Sequence, residues 1–304
     1  MDKFPQWTHT ILMCEPGVIG AVTGVSAAIA LKTYRPECRV TCVVSGDGAP
    51  ILERHPAVDQ TLSDLSFPDL VAFFRRQSPG SVLLLTYSPG GFVAAMLARV
   101  PVRICCDGGS GSGTIARMLA GLFGCRQAAV EASVPSTFRI MGLPSRLPPR
   151  PWIVLTPRER RRAQRRLRAL SRPRVFVHPS CLSGAMGLLN SKWNLVLAGL
   201  KRSDQEPCSL APWLERGALD LLFSLSLREW LAVLAETDVL VSADEESLVL
   251  AEAMGVPAVR VAKTPGDKDV RSVLPEAVAW QVEAILRHRL RIVRPTDVHQ
   301  AGVV

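Results

Sequence analysis

Asp238-Val-Leu-Val-Ser-Ala-Asp-Glu-Glu-Ser-Leu-Val-Leu-Ala-Glu-Ala-Met-Gly-Val-Pro-Ala-Val-Arg-Val261 is the stretch on which the reading of the fold turns. Val239 to Val241 form a short apolar run, the signature of a strand buried on both faces of a parallel sheet. Ser242 to Glu246 break the run with polar and acidic residues. Ser247 to Met254 are helix formers, Gly255 sits where a helix stops, and Val256 to Val261 return to a strand. A polar turn that ends a strand and opens a helix lies at the carboxyl edge of a parallel sheet, where open α/β folds bind ligands. The same pattern also fits an ordinary connection with no ligand at all.

The strand–turn–helix pattern recurs on both sides of this stretch. Thr10–Cys14 reads as a strand, Glu15-Pro-Gly-Val-Ile-Gly20 as a glycine-bearing turn, Ala21–Lys32 as a helix and Arg39–Ser45 as a second strand. Further strands are expected at 81–86, 102–106 and 174–178, and helices at 70–77, 92–99, 228–236 and 275–290. Lys192-Trp193 is read as leading into a helix that runs to Leu200. Prolines 144, 148, 149 and 151 mark an extended junction. The expected architecture is therefore α/β, with two Rossmann-like domains, 1–148 and 149–304, facing a cleft.

Composition narrows the class. In 304 residues, 48% are hydrophobic and 21% charged, which excludes a disordered chain, and the net charge of +9 favours an anionic partner. Seven arginines and one glutamate occupy 158–168, either a solvated helix face or a contact for anionic headgroups. Eight cysteines include no CxxC pair, so small buried residues of a reducing cytoplasm are expected rather than a disulfide framework. The N-terminus lacks a signal-peptide pattern, and the apolar runs read as shorter than a membrane span, so a soluble or surface-bound protein is expected. Asp267-Lys-Asp269 resembles a metal-binding pair but follows Pro265-Gly266 and reads as a solvated turn. The arginine run lacks interleaved aromatics, so no nucleic-acid partner is expected.

Several landmarks together resemble the ADP-heptose:lipopolysaccharide heptosyltransferases, inverting enzymes of the two-domain GT-B fold. The resemblance is loose and spans about residues 10–261. Gly17 and Gly20 are similar to the family's glycines in the first turn. Lys32 to Pro36, His55-Pro-Ala-Val-Asp59 and Met141-Gly-Leu-Pro144 look like further landmarks. His178-Pro-Ser180 with Lys192-Trp193 looks like the loop that holds the donor diphosphate. Asp244 to Gly255 has the spacing of the nucleotide-site helix. The resemblance implies a metal- and cofactor-independent transfer of a heptose-like sugar. The donor would be a nucleotide-diphosphate sugar, and the acceptor an anionic glycolipid of lipopolysaccharide or a related surface glycan at the inner-membrane face. It also implies donor-binding roles for Gly17, Gly20, Ser180, Lys192, Asp244, Glu245 and Glu252.

The departures are as informative as the matches. The family's presumed base is an aspartate in the first turn, and that position is Ala21 here. Glu15 is the preferred substitute, with Asp47 a second candidate. Glu246 and Val249 replace a glycine and a histidine of the nucleotide site. The family's glycine-rich strand end is not recognisable between 200 and 222. These departures leave open a catalytically inactive GT-B protein that acts as a binding or scaffold partner.

Overall fold

The computed structural model describes residues 8–86, 88–105, 126–127, 151–200, 209–261 and 275–292. The chain divides into two units, Met1–Val154 and Leu155–Val304. Gly108–Gly113, Met141–Pro144, the prolines up to 149 and Asp267–Asp269 fall outside the described residues.

In the first unit, six parallel strands form one sheet: β1 (His9–Met13), β2 (Arg39–Val44), β3 (Gln60–Ser63), β4 (Ser81–Leu84), β5 (Val102–Cys105) and β6 (Arg126–Gln127). Their spatial order is β3-β2-β1-β4-β5-β6. This is the doubly wound arrangement, whose strand order reverses between β1 and β4. Every residue of β1 and β4 is buried, as expected of strands covered on both faces. The crossovers are α1 (Gly17–Tyr34), the short α2 (Ala49–Leu52), α3 (Phe67–Gln77) and α4 (Pro89–Leu97). Ser66 caps α3 by accepting the Asp69 N–H, and Phe73 and Phe74 carry its apolar face into the core with Ile11, Val82 and Phe92.

Two expectations are corrected here. α1 begins at Gly17 rather than Ala21, so Ala21 lies inside the helix and is fully buried. α1 is also long and apolar enough to match a membrane span, although 61% of that length is buried within the protein. Strand β3 was not anticipated; its half-exposed Gln60 and Thr61 give no apolar signal.

The second unit repeats the scheme with α5 (Pro157–Arg166), β7 (Arg174–Val177), β8 (Asn194–Leu197), α6 (Ala211–Glu215), β9 (Leu219–Asp220), α7 (Leu227–Ala235), β10 (Val239–Ser242), α8 (Glu245–Met254), β11 (Ala258–Arg260) and α9 (Pro275–Ile292). The parallel sheet runs β11-β10-β7-β8-β9, and its order reverses between β7 and β10. Thr156 with Glu159, and Ser226 with Glu229, form capping boxes that start α5 and α7. Gly255, at φ 70°, takes the left-handed conformation that ends α8. Phe176 and Trp230 meet edge-on at 5.1 Å in the core.

The helix expected after Trp193 is instead strand β8, paired in register with β7 from Arg174–Asn194 to Val177–Leu197. The crossover from β7 to β8 contains only 3₁₀ turns, at Pro179–Cys181 and Met186–Asn190. Val278, Val282 and Leu286 of α9 enter the core with Leu188 from the second of these turns.

Candidate functional site

The carboxyl edge of the first sheet is assembled from three consecutive turns. After β1 the chain passes Glu15 and Pro16 into α1, and the Gly17 N–H donates to Ser45 O at 2.9 Å. A Cβ on Gly20 would lie 1.9 Å from Glu15 O, and one on Gly48 would lie 2.4 Å from Gly17 O. The glycines are therefore required because backbone meets backbone, a reason that holds with or without a ligand. Glu15 is exposed on the first turn and Asp47 on the turn that follows β2. Asp64, after β3, accepts the Gly46 N–H at 3.0 Å. Three carboxylates thus follow three adjacent strands at one edge. The amino end of α1 has no side-chain cap and no acid in its first turn.

The corresponding edge of the second sheet is closed by its own side chains. At the switch point between β7 and β10, the Ser180 hydroxyl lies 2.9 Å from His178 Nδ1 and accepts the Ala243 N–H at 3.3 Å. Ser180 and His178 are both buried. The His178 N–H continues the ladder to Val241 O at 2.9 Å. At the start of α8, Ser242 Oγ accepts the Asp244 N–H at 2.9 Å, and Asp244 Oδ2 accepts the Ser247 N–H at 2.8 Å. Asp244 is therefore the N-cap, and its carboxylate occupies an amide that an incoming phosphate would use. Glu245 is held by Arg260 through contacts of 2.5 and 3.0 Å. Glu246 is half-buried in the same turn. Glu252 is exposed near the far end of α8, about 12 Å along the axis from Asp244.

Lys192 does not join this group. It precedes the first residue of β8, and the Asn194 N–H donates to Pro173 O at the amino edge of the sheet. About 13 Å of strand separates that edge from Ser180 and Asp244. Lys192 instead borders an open groove of about 360 Å³ with Asn190, Trp193, Trp280 and Glu283. The pairing of Lys192 with Ser180 around a donor diphosphate is accordingly withdrawn. The β7–β8 connection carries Lys192 back across the sheet, a reversal that the spacing of the two motifs does not reveal.

Among the described residues, no group of three histidine, cysteine, aspartate or glutamate side chains is arranged to hold a metal. Cys14, Cys38, Cys42 and Cys181 are buried free thiols. The sequence reading identified the arginine-rich helix, α5, but not the partners of its glutamate. Its Glu159 takes two 2.8 Å contacts from Arg228, and this guanidinium, together with the Thr156 cap, lowers the carboxyl pKa to about 2.

No protein-family model matches the chain, and no curated protein matches it by sequence. Solved structures do match. Escherichia coli ADP-heptose lipopolysaccharide heptosyltransferase II aligns over 93% of this chain and 99% of its own, with a TM-score of 0.69 and 16% identity. A family 9 glycosyl transferase from Veillonella parvula aligns over 93% and 98%, with a TM-score of 0.69 and 11% identity. The E. coli heptosyltransferase WaaC with ADP aligns over 92% and 98%, with a TM-score of 0.61 and 17% identity. The chain therefore has the GT-B fold of these glycosyltransferases; at such identities the likeness concerns the fold alone.

Proposed function

We propose that the protein is a glycosyltransferase of surface-glycan assembly. It would move a heptose-like sugar from a nucleotide-diphosphate donor to lipopolysaccharide or a related anionic glycolipid. The observation that carries this reading is the near-complete alignment, in both directions, with a structure named as an ADP-heptose transferase. Inverting transfer needs a base close to the acceptor hydroxyl and does not need a metal. Glu15, exposed on the turn between β1 and α1, is the residue to which we assign the proton, with Asp47 on the adjacent turn. The start of α1 beside it has no side-chain cap, although its Gly17 N–H is already bonded to Ser45 O. Glu252 is assigned to ribose hydroxyls, a task suited to an exposed carboxylate.

A second reading is favoured by specific contacts in the second unit. Ser180, Asp244 and Glu245 each already have a partner, Lys192 is at the other edge, and Ala21 is buried. These features fit a catalytically inactive GT-B protein that acts as a binding or scaffold partner. Titration with ADP, UDP and ADP-heptose, followed by mass analysis of acceptor products, separates the two. Turnover that Glu15→Gln abolishes supports transfer. Nucleotide binding without turnover supports the second reading, and no binding to any of these nucleotides overturns the first.

A further inference from the structure

Four of the arginines of α5 and of the turn after it share one side. The inner face of the helix is committed to the unit. Ala163 and Leu167 are buried, Glu159 binds Arg228, and Glu229 binds Arg166 at 3.1 Å and Arg162 at 3.4 Å. The outer side carries Arg158, Arg161 and Arg165 on α5 and Arg168 in the turn that follows it, at spacings of three, four and three residues over about 15 Å. All four are exposed, and none of their side chains has a hydrogen bond or ion pair among the described residues. With Arg162 and Gln164 they border an open depression of about 480 Å³ that has no carboxylate in its lining.

Like charges three and four residues apart oppose the helix, so a row of one sign costs stability. Here one sign is kept, and the helix is held by a capping box and by ion pairs on its other face. The geometry points to this row as a docking surface for a bilayer containing acidic phospholipids. The outer face bears no apolar residue to insert, so the helix rests on the headgroups rather than entering the acyl region. A flat anionic plane requires only that the charges share a face. A nucleic acid would ask for base-reading or stacking side chains, and this face offers Gln164 alone. The inference does not depend on whether the protein transfers sugar; it would place the chain on an anionic bilayer surface in either case.

The test is co-sedimentation of the full chain with vesicles of phosphatidylcholine and of phosphatidylcholine mixed with phosphatidylglycerol, at low and high salt. Binding is expected only to the mixed vesicles and is expected to weaken as salt rises. Arg158→Gln, Arg161→Gln, Arg165→Gln and Arg168→Gln together should lower partitioning several hundredfold, about fivefold for each arginine. Arg160→Gln, on the other side of the same helix, should change it far less. The quadruple variant keeps Glu159–Arg228 and Glu229–Arg166, so its thermal unfolding should match that of the parent. Equal binding by the quadruple variant, no binding to the mixed vesicles, or tighter binding to duplex or single-stranded nucleic acid at the same salt would overturn the inference.

Discussion

Two carboxyl edges built on the same strand reversal place their carboxylates differently: on the turns around α1 in the first unit, and within the first turn of α8 in the second. In the first unit, α1 opens on Pro16 and Gly17 without a side-chain cap and without an acid in its first turn. In the second, α8 opens on Asp244, whose carboxylate holds the Ser247 N–H, and continues through Glu245 and Glu246. Amides at a helix start attract a phosphate when they are unsatisfied and unshielded. A carboxylate about 4 Å from that phosphate costs roughly 4 kcal/mol at an effective dielectric near 20. Topology therefore sets where a ligand could bind, while a few side chains decide whether an anion is received there.

The largest expected effect comes from putting an acid inside α1. Ala21 is fully buried in α1, so Ala21→Asp brings an unpaired charge into the core. A loss of roughly 3 kcal/mol or more is expected in urea unfolding at neutral pH. A variant that kept its stability and gained sugar transfer would break the comparison, because position 21 would then behave as part of an open site.

The next effect tests whether the second unit uses its acids internally. Arg228 holds the Glu159 carboxyl at a pKa of about 2, below its value of 4.5 in an unfolded chain. The pair's contribution is therefore complete above about pH 4.5 and is lost as pH falls toward 2. It is worth about 2 kcal/mol once partial exposure is allowed for. Unfolding curves at pH 7 and pH 3 should differ by less in Glu159→Gln than in the parent.

Smaller still is the cap of α8. Asp244→Ala should cost about 1 kcal/mol. Asp244→Asn, which keeps an acceptor and removes the charge, should leave stability nearly unchanged and tighten ADP binding severalfold. Weaker ADP binding in Asp244→Asn would mean that the carboxylate assists the ligand rather than opposing it.

How far these contrasts were legible in the sequence depends on the range of the interaction. Strands β1, β4, β7 and β10 were readable because a strand covered on both faces must be apolar throughout. Edge strand β3 was not, because Gln60 and Thr61 face solvent in part. Asn194-Leu-Val-Leu197 was misread as helical because four residues carry no period, and its pairing with β7 is a tertiary fact. The acidic start of α8 was visible as Asp244-Glu-Glu246. The engagement of Ser180 was not, since the N–H that it accepts belongs to Ala243, 63 residues away.

The smallest expected effect is also the most direct check on that geometry. The family resemblance paired Lys192 with Ser180 around a diphosphate, whereas the strand register sets Lys192 at the amino edge, about 13 Å of strand away. An exposed charge at that distance lies beyond a Debye length at physiological salt and is largely screened. Lys192→Gln should therefore change ADP affinity by less than about twofold, the range expected for exposed charges without a direct contact. A loss of tenfold or more would mean that Lys192 touches the phosphate. The second edge would then receive an anion despite its carboxylates, and the contrast between the two units would fail.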